Sequence, residues 1–330
     1  MKKHNVVRIG VLGCSNFAMR SMIPAMINMP DQFDLVAVAS RNAEKSKDIA
    51  KNLGIKRSFS SYDKLLDCDV LEAVYIPLPN ALHFKWVEMA LERGLHVLVE
   101  KSMACSFEEV KYLNEIASKR NLVLVENFQF RFHKQLAVIQ KMVSDGVIGK
   151  LRCVRSSFGF PPFPDENNIR YRKELGGGAL FDVGAYPIKI AQIFLGHDIE
   201  VSAASLCFDN QKEVDIWGGA YLNQKKGSLF AEIAFGFDNF YQCNLELWGS
   251  EGKIYTKRIF TTPPDKSTEI ILESSNGNDV CHVTPCNHFE KMMLHFCNLI
   301  YTKEGLSAEY KQNINQSRLI LETMSLACKK

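Results

Sequence analysis

The stretch Arg8–Ala25, RIGVLGCSNFAMRSMIPA, decides how the rest of this chain is read. It overlaps an apolar run, Val6–Leu12, that reads as a buried parallel strand. A tight turn of small residues follows, Gly13-Cys14-Ser15-Asn16, and then a helical pattern from Phe17 to Ile27. Strand, turn and helix in that order aim a helix N-terminus and its amide N–H groups at the turn, where a pyrophosphate is favoured. On the dinucleotide fingerprint, Gly13 takes the first glycine place, Ser15 the second and Ala18 the third. Only one of the three is glycine, so the turn alone also fits an ordinary strand-to-helix connection.

The surrounding grammar settles that choice. Residues 1–125 alternate strand and helix: a strand at Leu35–Ala39, a helix at Ala43–Leu53 closed by Gly54, and a strand at Ala73–Ile76 ending at Pro77. Asn80 is expected to cap a helix that runs to Arg93 and stops at Gly94. A strand at His96–Val99 ends in Glu100-Lys101, Ser106 with Glu109 forms a capping box, and Leu122–Val125 is the next strand. Short strands separated by helices predict a doubly wound parallel sheet whose ligand crevice lies at the carboxyl ends of the strands. Gly13, Ser40, Pro77 and Lys101 all fall at such ends.

Beyond residue 125 the pattern changes. A helix at His133–Ser144 ends at Gly146, and strand-like segments follow at Arg152–Phe160, Val201–Phe208, Asp215–Tyr221, Ser228–Phe235 and Tyr241–Trp248. A helix at Asp182–Leu195 interrupts them, and helices near Asn287–Tyr301 and Asn313–Ala327 finish the chain. The expected architecture is α/β: a Rossmann domain over 1–125 and an α+β domain over 126–330 with a large, mostly antiparallel open sheet.

Composition narrows the function. With 46% hydrophobic and 23% charged residues, the 330-residue chain is ordinary for a soluble globular protein. Its 40 Lys and Arg are scattered without a basic stripe, which argues against nucleic acid. No apolar stretch is read as a membrane span, and MKKHNVV leads straight into the first strand with no signal-peptide pattern. Ten cysteines in that setting point to reduced thiols in a cytoplasm. Cys281, His282, Cys286 and His288 match no zinc spacing and read as a strand end and a loop, so no metal is expected.

Five motifs then converge: GVLGCSNFA at Gly10–Ala18, ASR at Ala39–Arg41, PLPNALH at Pro77–His83, HVLVEKS at His96–Ser102 and GGGALFDVGAYP at Gly176–Pro187. Together they resemble the glucose–fructose oxidoreductase/inositol dehydrogenase (Gfo/Idh/MocA) superfamily, and within it the nucleotide-diphosphosugar 3-ketoreductases and the NADP-dependent sugar or dihydrodiol dehydrogenases. The resemblance implies a Rossmann domain and a C-terminal domain whose open sheet usually serves dimerisation, hence a homodimer or homotetramer. The family's glutamate-lysine-proline motif falls on Glu100-Lys101, with Ser102 where proline is usual. Its aspartate–glycine–histidine/tyrosine motif falls on Asp182, Gly184 and Tyr186, and the tyrosine favours the ketoreductase-like branch.

The candidate site follows from these placements. Gly13, Ser15, Asn16, Phe17, Ser40, Arg41, Pro77, Leu78, Asn80, His83, Glu100 and Lys101 are the expected cofactor contacts. For His83 the alternative is a simple surface histidine. Strand two ends in Ser40-Arg41-Asn42 with no carboxylate to repel a 2′-phosphate, and a guanidinium binds phosphate bidentately, so NADP(H) is expected over NAD(H). Arg131, with His133 beside it, and Arg170 are candidates for substrate contact, Arg170 for a sugar-nucleotide phosphate, with a solvated arginine as the equal alternative. The Gly176–Gly178 run is expected to let backbone pass close to the nicotinamide edge. Asp182 and Tyr186, four apart, share one helix face. Lys101, Tyr186 and Asp182 are the expected catalytic group: Tyr186 as general acid, Lys101 as its electrostatic partner or the reverse, Asp182 in support.

The expected activity is hydride transfer between NADP(H) and a carbohydrate, with a keto-sugar linked to a nucleotide as the substrate. An NADP-dependent aldose or trans-dihydrodiol dehydrogenase is the alternative enzyme. A regulatory protein that senses the cofactor without turnover is the alternative of another class, and the retained lysine–tyrosine pair argues against it.

Overall fold

A computed structural model describes residues 6–275 and 277–329. The chain divides into two compact units, one of Met1–Asn127 with Phe289–Ile314, the other of Phe128–His288 with Asn315–Lys330. The sequence reading kept 126–330 together; here Phe289–Ile314 packs with the first unit.

The first unit runs β1 (Val7–Leu12), a helical segment from Asn16 that ends in α1 (Ile23–Ile27), β2 (Phe33–Ala39), α2 (Ala43–Leu53), β3 (Arg57–Phe59), α3 (Tyr62–Leu66), β4 (Ala73–Ile76), α4 (Asn80–Glu92), β5 (His96–Val99), α5 (Phe107–Lys119) and β6 (Leu124–Glu126). Among the described residues, six strands form one sheet in the order β3-β2-β1-β4-β5-β6, all pairs parallel. The strand order reverses at β1, from which β2 and β3 are added on one side and β4 to β6 on the other, and this switch point opens the crevice expected of a doubly wound sheet. Every residue of β4 is buried, as helices on both faces require. Each fully buried aliphatic side chain there contributes about 1.5–3 kcal/mol of transfer free energy.

Local signals explain most boundaries. Asn42 accepts from the Lys45 N–H to start α2, and Gly54 ends it in the left-handed region. Ser106 and Glu109 form the expected reciprocal capping box. At α4, however, Pro79 occupies the cap position without a side-chain cap and Asn80 is already the first helical residue. Proline's fixed φ presets the helix entry, so no side-chain cap is needed to start it.

The second unit opens with a short turn at Gln129–Phe132 and α6 (Lys134–Ser144). Then come β7 (Leu151–Gly159), a π-helical turn at Leu180–Gly184 continuing into α7 (Ala185–Leu195), β8 (Ile199–Asp209), β9 (Val214–Gln224), β10 (Phe230–Gly236), β11 (Gln242–Gly249), β12 (Gly252–Thr256), β13 (Thr268–Ser274) and β14 (Gly277–Val283). α8 (His288–Thr302), from Phe289 on, and the start of α9 (Leu306–Ala327) count with the first unit, and the end of α9, from Asn315, counts with this one. Eight described strands form a sheet in the order β14-β13-β12-β11-β7-β10-β9-β8, antiparallel except between β7 and β10. The stretch Lys173–Leu195 is apolar and long enough by composition to cross a membrane, against the sequence reading, but 72% of its most apolar window is buried in the fold. It is the helix over which this sheet builds its core.

The two alternations of β11 differ in character. Cys243, Leu245 and Leu247 are buried, while Gln242, Asn244 and Glu246 point the other way and only Trp248 adds bulk to that row. Arg155 on β7 binds Glu232 at 2.6 Å and Glu246 at 3.1 Å and lies over the Trp248 ring. Tyr221 and Phe230 stack at 5.1 Å, and Trp217 is exposed. The outer face of the sheet is mixed charge and aromatic.

Candidate active site

In the first unit, β1 delivers Gly13 with φ +113, and a Cβ there would stand 2.7 Å from Leu78 Cδ2. Only glycine lets this turn close against the loop that follows β4. The Gly13 N–H donates to Ala39 O at 3.0 Å, tying the turn to the end of β2. Ser15 starts the helix: its Oγ accepts from the Ala18 N–H at 3.1 Å and its carbonyl from the Met19 N–H. Ser15 therefore does in the turn what a second glycine does not, anchoring the helix whose N-terminal amides face the crevice. Asn16 is exposed, and the Phe17 ring meets Phe289 edge-on at 5.9 Å. A π-helical turn, Ala18–Met22, follows, a feature that recurs at functional sites.

At the end of β2, Ser40 Oγ accepts from the Asn42 N–H, and Arg41 is exposed. Burial pushes the Tyr62 phenol up, while a hydrogen bond from Arg41 pulls it back. Lys45 donates its Nζ–H to Cys14 O at 3.1 Å. Arg41 and Lys45 thus bring two cations to the rim of the Gly13 turn, which suits a phosphorylated adenosine ribose. Burial raises the Cys14 thiol, against the pull of Lys45. The turn, its helix and this rim fit a dinucleotide.

The loop after β5 is held at three residues that flank Lys101. Glu100 accepts from Tyr75 OH and from Asn127 Nδ2, both at 2.6 Å. Ser102 O lies 2.7 Å from His83 Nδ1, and the Met103 N–H donates to Glu126 Oε1 at 2.9 Å. Lys101 sits between these anchors, and the Lys101–Ser102 peptide is cis. His83 was expected to contact cofactor or substrate. It is 0% exposed, with its other nitrogen 2.7 Å from Leu78 O. Burial pulls its imidazole down to about 4 and two carbonyls pull it up. A neutral ring donates to one carbonyl and a protonated ring to both. His83 is a clamp between the loops after β4 and β5, out of a ligand's reach.

In the second unit, the π turn at Leu180–Gly184 and α7 carry Asp182 and Tyr186. The Tyr186 ring is 9% exposed and meets Phe128, Phe130, Phe158 and Phe260 at 5.2–5.7 Å between centroids. Four rings fix its orientation. Arg170 donates to Asp182 Oδ2 and lies over the Phe163 ring, and Asp182 and then Tyr186 help hold its guanidinium charged. Arg170, expected as a contact for a sugar-nucleotide phosphate, is thereby drawn to the helical segment that carries Asp182 and Tyr186. The Gly176–Gly178 run is likewise spent internally: the Gly177 and Gly178 N–H groups donate to Arg172 O and Arg170 O. Arg131 stacks on Phe132, and His133 caps α6 by accepting from the Gln135 N–H. Among the described residues, no three metal-ligating side chains gather.

Residues 7–128 match the domain family described as "Oxidoreductase family, NAD-binding Rossmann fold", and residues 136–255 match the "GFO/IDH/MocA C-terminal domain". A dTDP-3,4-didehydro-2,6-dideoxy-alpha-D-glucose 3-reductase of Saccharopolyspora spinosa is 40% identical over 300 residues, covering 91% of this chain and 89% of that protein. The chain belongs to the GFO/IDH/MocA oxidoreductase family. The enzyme of the same name from Actinomadura kijaniata is 34% identical over 316 residues, covering 96% and 94% of the two chains. A crystal structure of a 3-ketoreductase from Actinomadura kijaniata with NADP and TDP-benzene superposes with a TM-score of 0.93 at 33% identity, covering 97% and 98%.

Several members of this GFO/IDH/MocA site carry no motif. Tyr75 and Asn127 hold Glu100, Glu126 holds Met103, and Lys45 and Tyr62 flank Arg41. Lys45 was findable, since it lies one helical turn beyond Arg41 on α2. The others lie on separate strands or helices, and no local spacing announces them.

Proposed function

We propose that this oxidoreductase is an NADP(H)-dependent 3-ketoreductase of a dTDP-linked keto-deoxysugar. The observation that carries this reading is the whole-length match to dTDP-sugar 3-reductases, at up to 40% identity among the relatives compared. The Ser40-Arg41 rim supports the phosphorylated cofactor. NADPH, when bound, supplies the hydride to the carbonyl carbon. The protein's part is to place the ketone and to deliver a proton to its oxygen.

Lys101 is the group this chain offers from its anchored loop: an ammonium that stabilises charge developing on the oxygen. Tyr186 is the proton donor, its phenol fixed by four rings so that little reorganisation accompanies transfer. Asp182, held by Arg170, supports the reaction by orienting a substrate hydroxyl or Lys101. The outer sheet face, with both charge signs and exposed Trp217, Tyr221 and Trp248, is suited to a second copy of this chain, giving a homodimer or homotetramer.

The direct test follows NADPH absorbance with dTDP-linked 3-keto-6-deoxysugars, with free aldoses and trans-dihydrodiols as comparisons. Turnover of the nucleotide-linked ketone is expected to exceed the others in kcat/KM by roughly a hundredfold or more. Preference for a free aldose would make the protein a sugar dehydrogenase. Tight NADPH binding without turnover of any of them would favour a sensor.

A further inference from the structure

Asp215 on β9 is 2% exposed and belongs to no motif of the chain. Its Oδ2 accepts the Leu180 N–H at 2.6 Å, and the Ala179 N–H also bears on it. These amides open the helical segment that carries Asp182 and Tyr186. Gly178, with φ +110, completes the fit: a Cβ there would stand 2.3 Å from Asp215 Oδ1. The chain thus gives up a side chain at 178 so that a carboxylate can reach the helix start.

The energetics make this placement informative. Burial pushes the carboxyl up to about 6, and the contacts that oppose this are backbone N–H groups, with no basic side chain among them. A buried acid without a cationic partner is unfavourable, and an apolar residue would fill the same position on the inner face of β9 more cheaply. Its placement at the helix start, where orphan N–H groups and the positive end of the helix dipole welcome a carboxylate, points to a positional task.

We propose that Asp215 is a positioning residue: it tethers the first turn of the catalytic helix to the sheet and thereby sets where Asp182 and Tyr186 stand. The activity arm of this inference rests on the function proposed above; its structural arm does not.

The test compares Asp215→Asn, which keeps an oxygen acceptor, with Asp215→Ala, which removes it. Asp215→Leu serves as a second deletion variant that keeps volume should the alanine variant not fold. Amide hydrogen exchange is read over residues 179–186 against α6 in the same unit. Removing a charged acceptor is expected to speed exchange at 179–186 by roughly tenfold or more in the alanine or leucine variant, with α6 unchanged and the asparagine variant near wild type. On the dTDP-keto-sugar, kcat is expected to fall roughly tenfold in the deletion variants and to recover in Asp215→Asn, with the NADPH Kd within about twofold throughout. Unchanged exchange at 179–186 in the deletion variants would overturn the tether. So would faster exchange accompanied by wild-type kcat, because the tether would then have no catalytic consequence. If wild-type protein reduces no nucleotide-linked ketone, the functional proposal fails while exchange still decides the tether.

Discussion

Arg170 donates its Nε–H to Asp182 Oδ2 at 2.5 Å, twelve residues apart in sequence and joined across the glycine turn. The pair is partly buried, with side-chain exposures of 33% and 16%. The guanidinium is held charged by Asp182 and, next, by Tyr186, so the pair acts as a unit. Arg170→Ala and Asp182→Asn are each expected to lower kcat/KM for the keto-sugar, and the double variant to be little worse than either single one. A double-mutant cycle should return a coupling of about 1–3 kcal/mol. Additive losses would mean that Arg170 works elsewhere, as on the substrate's phosphates.

Cofactor choice is expected to turn on Arg41. It stands exposed at the end of β2 beside Ser40, with Lys45 one helical turn on and no carboxylate at the strand's end. Arg41→Ala should raise the KM for NADPH by roughly tenfold or more and leave that for NADH nearly unchanged, since only the 2′-phosphate needs the guanidinium. Steady-state kinetics with both cofactors decides it. Equal use of NADPH and NADH by the wild type contradicts the reading.

Much of this fold is legible because local chemistry and tertiary context agree. β4 and β5 lie where their apolar runs place them, α2 ends at Gly54, and the Ser106–Glu109 box forms. What escaped the sequence reading is short or polar. β3, with the adjoining α3, has only three strand residues, and its register comes from pairing with β2. β12 to β14 carry polar residues such as Lys253, Glu273 and Asn278, so little apolar alternation marks them; antiparallel neighbours fix them instead. The same holds at the site. Lys101 and Tyr186 sit in recognisable motifs, whereas His83 looked like a ligand contact because its motif gives a position and no direction. Its ring turns inward to two carbonyls, which spacing alone cannot encode.

Acid is expected to destabilise the fold through its buried histidines. His83, His96 and His288 are each held at about 4 by burial, against 6.5 for the free side chain. His96 also accepts the Val123 N–H on Nδ1, a bond only the unprotonated nitrogen can make. Between pH 6.5 and 4 the unfolded chain takes protons that the folded chain refuses, so stability is present above 6.5 and is lost as pH falls toward 4. At pH 5 this amounts to roughly 2 kcal/mol per histidine. Asp215 and Glu100 have the opposite sign: burial raises both carboxyls, that of Asp215 to about 6, so folding holds their protons and gains stability as pH falls. Three histidines against these two acids are expected to leave a net loss. Urea unfolding should show a lower midpoint at pH 5 than at pH 7, and His96→Gln should narrow the gap. Equal midpoints for the wild type would contradict the account.

The outer sheet face is expected to be covered by a second copy. Exposed Trp248 lies under Arg155, which is itself paired with Glu232 and Glu246. Light scattering at micromolar concentration should give the mass of a dimer or tetramer, and Trp248→Glu, which sets a carboxylate into a row already holding Glu246, should shift it toward the monomer. A monodisperse wild-type monomer would contradict the assignment of this face.

The last prediction concerns Tyr186 and Lys101. Carbonyl reduction adds a hydride to carbon and a proton to oxygen, and only the second is the protein's to give. Tyr186→Phe removes one hydroxyl and leaves the ring among Phe128, Phe130, Phe158 and Phe260, so the fold should be unchanged and NADPH binding retained. Lys101→Ala removes the ammonium but none of the anchors around it, because those belong to Glu100, Ser102 and Met103. Each variant is expected to lower kcat by roughly 10²-fold or more, as loss of a proton donor or of an oxyanion partner does. The two should differ in their pH profiles, since a surviving phenol and a surviving ammonium donate over different ranges. Single-turnover NADPH oxidation at several pH values separates chemistry from product release. Near wild-type turnover by Tyr186→Phe would make Tyr186 a packing residue of the aromatic cluster and leave Lys101 as the acid that completes the reduction.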